Sequence, residues 1–301
     1  MTAPKAPHST KAKKAVPVKT AAKPRTRAAK KKKSAGFNFN NPRFKTAVVI
    51  ILLVLLSPFY YGYVLNFFSS TWRWVRNIGV DPHYRTYKSF NISIPTKYSI
   101  HGIDVSYAQG KIDWKKVAAM EEDSVRISFA FIKATEGLLT VDPYFKRNWR
   151  EAPKVGIRCG AYHFFRAYKS GLWQARFFLQ NVNPESGDLP CVVDVERLDN
   201  VAPVVMRKEL QAFLNHVEKR TGVKPIIYTG LSFYKDYLEG SFDDYPLWIA
   251  HYNRRELKAG ANTNWWFWQH SETARVNGIN HTVDFNAFKG DSTKFDNFLI
   301  K

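Results

Sequence analysis

No aspartate or glutamate precedes Asp81 in this chain of 301 residues. Fourteen of its 46 Lys and Arg fall before Thr46, so the remaining 32 stand against 25 acids. The formal net charge of +21 is therefore concentrated at one end. That end also lacks aliphatic periodicity and is rich in Ala, Pro, Thr and Ser. Such a segment cannot bury enough apolar surface to fold alone. Blocks such as KAKK and AAKKKKSAG repel and stay extended. Residues 1–45 are expected to form a disordered basic tail.

Charge of either sign is then missing from Thr46 to Trp72. About 20 apolar residues span a bilayer core as a helix. The aliphatic part, Ala47 to Leu56, is short by itself, but the aromatic continuation to Phe68 supplies the length. Tyr60, Tyr61, Tyr63 and Trp72 suit the membrane–water interface. No small-x-small cleavage site follows, which argues against a removed signal peptide. The expectation is a transmembrane signal-anchor helix over 46–70, kinked at Pro58, with a stalk or lead-in over 71–98. Basic residues before a span hold that side in the cytoplasm. The expected place is the cell (inner) membrane, single-pass, with the C-terminal body periplasmic or extracellular. The lipid bilayer is thus a partner through 46–70. Nucleic acid is not expected, because a topology signal or anionic-lipid contact accounts for the tail more simply.

Cysteine is scarce too. Only Cys159 and Cys191 occur, both inside apolar runs, and two buried thiols are expected. No Cys or His pair has metal-ligand spacing, so neither a metal nor another cofactor is expected. A monomer is expected.

From about Tyr98 onward, short apolar runs alternate with helical patterns. YSIHGIDVS, the run from about Ser128 to Ala134, IRCGAYHFF, LPCVVDVE, KPIIYTG, YPLWIAHYN, NWWFWQH and TVDFNAF read as eight strands. WKKVAAMEED, DPYFKRNWREAPKVG, GLWQARFFLQNV and APVVMRKELQAFLNHVEKRTG read as helices, the last with Gly222 just past its end. Strands alternating with helices argue for an α/β parallel sheet, and eight of them for a barrel. Asp104, Glu136, His163, Asp194, Glu196, Tyr228, His251 and Gln269 all lie at or just after strand ends. In a parallel barrel these converge on one mouth. Asp284 sits inside the last run and is expected to face the same centre.

Within CVVDVERLD, a strand places Asp194 and Glu196 on one face with Val195 on the other. Two neighbouring acids at the end of a hydrophobic strand repel, which raises at least one pKa. The pattern suits a general acid with a helper, or a strand end with two solvated acids.

The stretches HGIDVSYAQGKIDW, FAFIKATEG, GAYHFFRA, CVVDVE, PIIYTG, LWIAHYN, WFWQH and VDFNAF resemble, in order and over about 99–290, the glycoside hydrolase family 25 lysozymes, the Chalaropsis-type N-acetylmuramidases. The resemblance implies an irregular TIM-like (β/α) barrel with eight strands and about five helices over 99–301. It implies cleavage of the β-1,4 bond between N-acetylmuramic acid and N-acetylglucosamine, with peptidoglycan glycan strands as partner. It carries catalytic roles onto Asp104, Asp194, Glu196 and Asp284. Glu196, with the longer reach, is expected to be the protonated general acid and Asp194 to stay ionised beside it. Their Cα atoms would lie about 6.6 Å apart at roughly 3.3 Å per residue. Both would then approach the sugar from one side, which favours attack by the substrate's own acetamido oxygen over attack by Asp194. Asp104 and Asp284 are expected to complete an acidic ring. Tyr162, Tyr228, Trp248, Tyr252 and Trp268 are the candidate sugar-stacking rings, with Gln269 and Glu136 as polar contacts; Lys133 and Glu136 are expected to pair. His163 and His251 read as packed strand-end residues. The competing functions are a glycanase for another N-acetylglucosamine polymer, a non-catalytic wall-binding tether, and nucleic-acid binding through the tail.

Overall fold

The computed structural model describes residues 40–56, 83–252, 254, 256–260 and 263–301. The chain divides into two compact units, Met1–Val75 and Arg76–Lys301. In the first, a helix α1 runs over 42–56. Asn41 caps it, accepting from the Arg43 amide at 3.0 Å. Pro42 occupies the first turn, where its missing N–H costs nothing. The apolar side chains from Val48 to Leu56 stand exposed. No helix among the described residues is long and apolar enough to cross a membrane. The remainder of the expected span, 57–70, and the tail 1–39 lie outside the described residues.

The second unit opens with an antiparallel hairpin, Tyr84–Tyr87 against Ile92–Pro95. This part of the expected lead-in packs on the body. Tyr87, Phe90, Ile92 and Ile94 are buried in the same core as the strands that follow. Phe90 meets Phe285 edge-on, with centroids 5.4 Å apart.

Eight strands close a barrel: β1 (His101–Val105), β2 (Val125–Glu136), β3 (Arg158–Phe164), β4 (Val192–Asp194), β5 (Ile226–Gly230), β6 (Leu247–Ala250), β7 (Trp265–Ala274) and β8 (Val283–Phe288). Neighbours from β1 through β7 pair parallel. β8 is antiparallel to both β7 and β1 and closes the ring. An all-parallel ring was the natural extrapolation from the alternating pattern. The exception arises because the connection 275–282 is too short for a crossover, so the chain turns straight back. Reversal brings the start of β8 to the end of β1, and Asp284 pairs in register with Asp104.

Side chains alternate across the wall, as strand geometry requires. Phe129, Phe131, Val192, Ile226, Trp248, Phe267 and Phe288 fill the interior. Phe131 stacks on Trp248 at 4.4 Å. The rings crowd the opposite wall, so two positions there tolerate only hydrogen. A Cβ on Gly160 would lie 2.7 Å from the Phe131 ring, and one on Gly102 would strike Phe129.

The outer residues, such as Ile103, Ile132, Val193 and Ile249, face the helices. These are α2 (Trp114–Ala118), α3 (Phe145–Glu151), α4 (Gly171–Asn181), α5 (Pro203–Thr221), a short α6 (Leu231–Phe233) and α7 (Ser292–Phe298). α5 starts with Pro203 in its first turn and stops at Gly222, whose φ of 73° is left-handed. Met206, Leu210, Phe213, Leu214 and Val217 form its buried stripe at helical spacing. Cys159 and Cys191 are buried free thiols, as expected.

Candidate active site

The polar layer sits directly above the aromatic filling, at the C-terminal ends of the parallel strands. Alternation explains its membership. Val192 points inward, Val193 outward and Asp194 inward again. Val195 is buried outward, and its amide donates to the Tyr228 carbonyl at 2.9 Å. Glu196 then lies on the inner face but beyond the strand, exposed to solvent.

Asp104 is 7 % exposed. Its Oδ2 accepts from Gln269 Nε2 and from Asn286 Nδ2, both at 2.8 Å. Gln269 is oriented by two phenols, because the hydroxyls of Tyr228 and Tyr252 both donate to its Oε1. Asn286 is oriented by Trp248, whose indole N–H donates to Asn286 Oδ1 at 2.7 Å. The floor of the site is thus tied to the barrel filling.

Burial raises the carboxyls. Asp284 is pushed up to about 9, first by burial and then by the charge of Asp104 and a hydrogen bond to it. Asp104 rises to about 6 through burial, opposed by the bonds from Asn286, Gln269 and Asp284. At neutral pH Asp284 holds the proton and donates it to ionised Asp104. Asp194 is driven well above the carboxylate range by burial, then by the charge of Glu196 and a hydrogen bond with it; the Lys133 ammonium opposes. That direction favours a proton on Asp194, where the sequence reading expected an ionised carboxylate. Reach counts for less than depth, since Asp194 lies inside the barrel and Glu196 in water. Asp194 Oδ1 is buried with no partner among the described residues.

Three of the five candidate rings reach this layer. Tyr162 and Tyr228 are buried beside the acids, whose charges together with burial raise both phenols. Tyr252 is half-buried at the rim. Two tryptophans do not present a sugar-stacking face. Trp248 is 2 % exposed and lies beneath Tyr228, with centroids 4.3 Å apart. Trp268 points out of the barrel, because Gln269 beside it points in. Its indole N–H donates to the His251 carbonyl at 2.9 Å.

Glu136 is engaged by two cations at the end of β2. Lys133 Nζ lies 2.8 Å from its Oε2, and Arg166 Nη2 pairs with its Oε1. Burial works to raise its carboxyl, but the bonds from Lys133 and Arg166 outweigh this and hold it low. Arg166 also reaches Asp199, at 3.5 Å. His163 is buried against Phe213, with Thr135 Oγ1 2.7 Å from its Nδ1 and Gln174 Oε1 3.2 Å from its Nε2, and takes no part in the mouth.

Sequence reasoning missed Asn286 and Arg166. Asn286 carried a signal: it stands two residues after Asp284, hence on the same face, and is polar in an apolar run. Arg166 ends the run HFFR, whose other residues are apolar or buried. Nothing local marks its bridge to Glu136, which is 30 residues away in the chain.

The model of glycosyl hydrolases family 25 matches residues 103–279. The chain belongs to this family. YegX of Escherichia coli O6:H1 is 46% identical to it over 259 residues, covering 85% of this chain and 95% of YegX. Lysozyme M1 of Streptomyces globisporus is 34% identical over 235 residues, covering 73% of this chain and 76% of the lysozyme. Among solved structures, a family 25 glycosyl hydrolase from Bacillus anthracis superposes with a TM-score of 0.63 at 32% identity, covering 72% of this chain and 98% of that one. The chain is therefore a glycoside hydrolase of family 25. Its matched segment contains Asp104, Asp194 and Glu196, and Asp284 lies just beyond it.

Proposed function

We propose that this family 25 hydrolase cuts the β-1,4 bond between N-acetylmuramic acid and N-acetylglucosamine in peptidoglycan, while anchored to the membrane by its N-terminal apolar segment. The observation that carries the chemistry is a buried Asp194 on the inner face of β4, two residues before an exposed Glu196 at the rim. Hydrolysis requires a proton for the leaving oxygen and charge beside the oxocarbenium-like centre. Burial keeps a proton on Asp194. A sugar seated on Glu196 displaces the water around it. The proton then moves outward along the hydrogen bond from Asp194 to Glu196. Glu196 passes it to the glycosidic oxygen as that bond breaks.

Asp194, now ionised, is steadied by Lys133. Its orphaned Oδ1 accepts the acetamido N–H and turns the acetamido carbonyl oxygen toward the anomeric carbon. That oxygen attacks, and water later opens the ring it forms, retaining the configuration. The Asp284–Asp104 pair, clamped by Gln269 and Asn286, supplies a proton donor and an acceptor for that water and for sugar hydroxyls.

Muropeptides released from purified sacculi, identified by mass spectrometry, test the reading. New reducing ends on muramic acid are expected, with none from Glu196→Gln. Reducing ends on N-acetylglucosamine alone, or release from chitin but not from sacculi, would replace it. NMR of the first anomer tests the mechanism, which initial inversion would rule out. Anchoring is supported by the uncharged run from Thr46 to Trp72 and the acid-free basic flank before it. Recovery of the full-length chain in the membrane fraction after a carbonate wash tests it.

A further inference from the structure

A cavity of about 670 Å³ lies on the outer side of the β6 end, lined by Pro95, Lys97 and Tyr98 on one side and by His251, Arg254, Glu256 and Lys258 on the other. Alternation places it next to the catalytic mouth: Tyr252 turns inward to Gln269, while His251 lines the cavity. Lys97, Arg254 and Lys258 line it against one acid, Glu256, so its walls carry an excess of positive charge. The acid is loosely held, with Glu256 Oε1 3.9 Å from Lys97 Nζ and both side chains more than half exposed. Such a pair contributes little and is readily exchanged for another carboxylate. Tyr98 provides an apolar wall, fixed edge-on against Trp265 and Trp268. Among the described residues His251 Nδ1 is buried without a partner, and burial followed by the charges of Arg254 and Lys235 lowers its pKa.

We infer that this cavity is a second binding site, which takes the acidic peptide stem of the glycan strand being cut. This rests on the proposed peptidoglycan substrate. A volume in the range of about 300–1,000 Å³ suits a small ligand or short peptide and is large for a single inorganic anion. The stem's carboxylates displace Glu256 and pair with Lys97, Arg254 and Lys258. The apolar part of the stem lies on Tyr98. The mouth and the cavity flank the same strand end, so one substrate can occupy both.

The full-length protein is assayed on glycan strands carrying peptide stems and on the same strands stripped by an amidase. In the Arg254→Ala/Lys258→Ala double variant, KM on stem-bearing strands is expected to rise about fivefold to tenfold. That is the size expected for the loss of two exposed ion pairs. kcat, and all constants on stripped strands, should stay at wild-type values. Equal effects on both substrates, or no effect on either, overturn the inference.

A binding arm separates it from the activity. A free acidic stem tetrapeptide should shift the His251 ring resonances of the wild type, assigned with His251→Gln, and not those of the double variant. Inorganic phosphate producing the same shift would reduce the cavity to a general anion site and refute the peptide assignment. If the wild type cuts neither strand, the proposed function fails, and the tetrapeptide titration still decides the cavity.

Discussion

Replacing Asp284 by asparagine removes a titrating proton and keeps the donor. The amide N–H can still reach Asp104, so the geometry at the closing seam survives. The wild-type carboxyl has a folded pKa of about 9 against an unfolded value near 3.9. A raised acid binds its proton more tightly in the native state. Its stabilising contribution is therefore complete below about pH 4 and is lost as pH climbs toward 9, at up to about 1.4 kcal/mol per pH unit. Between pH 5 and pH 8 that amounts to at most about 4 kcal/mol. Asp284 is partly open to water, which screens the effect, so half of this, about 2 kcal/mol, is the working figure. Asp194 contributes a slope of the same sign in both proteins and cancels in the difference. Urea denaturation of both proteins at pH 5 and pH 8 measures it. Asp284→Asn should gain about 2 kcal/mol on the wild type across that interval. Parallel pH profiles would show that Asp284 is ionised in the folded state, and the proton assignment would fail with it.

Other changes probe the same layer. Asn286→Ala removes a donor to Asp104 and leaves the Trp248 indole N–H unpaired; it should cost about 2–4 kcal/mol in chemical denaturation and abolish cleavage. Gly160→Ala forces a Cβ against the Phe131 ring and should cost about 1–3 kcal/mol, read as a lower Tm with the mechanism's pH profile unchanged. His101 and His270 are held neutral by burial, with folded pKa values of about 4 and about 3. Depressed histidines give stability that is present above about pH 6.5 and lost as pH falls toward 4, so His270→Leu should flatten the acid limb of a Tm-against-pH curve.

Much of the barrel could be read from the chain because its strands obey a simple alternation. The eight apolar runs are the eight strands. The step from Val192 to Asp194 predicts correctly which side chain points inward. Gly222 ends its helix where the sequence places the stop. Two things were not legible. The fate of aromatic residues depends on parity, which a bulge or an adjoining inward residue decides. Trp268 and Gln269 are neighbours with opposite destinies, and reading both into the mouth ignored the alternation. The hairpin at 84–95 was read as a lead-in because its strands are only four residues each, and its packing partners, such as Phe285, lie far along the chain.

Strand β8 joins the last part of the body to the first, so the Asp284–Asp104 contact spans nearly the whole domain. A polypeptide still emerging from the ribosome has Asp104, Asp194 and Glu196 but no seam. Its acids then lie in an open, wet sheet, with neither Asn286 to clamp Asp104 nor a dry interior to retain a proton on Asp194. Cutting power therefore arrives only with the final strand. A chain cut short before β8 therefore carries its acids without the seam that assembles them into a site.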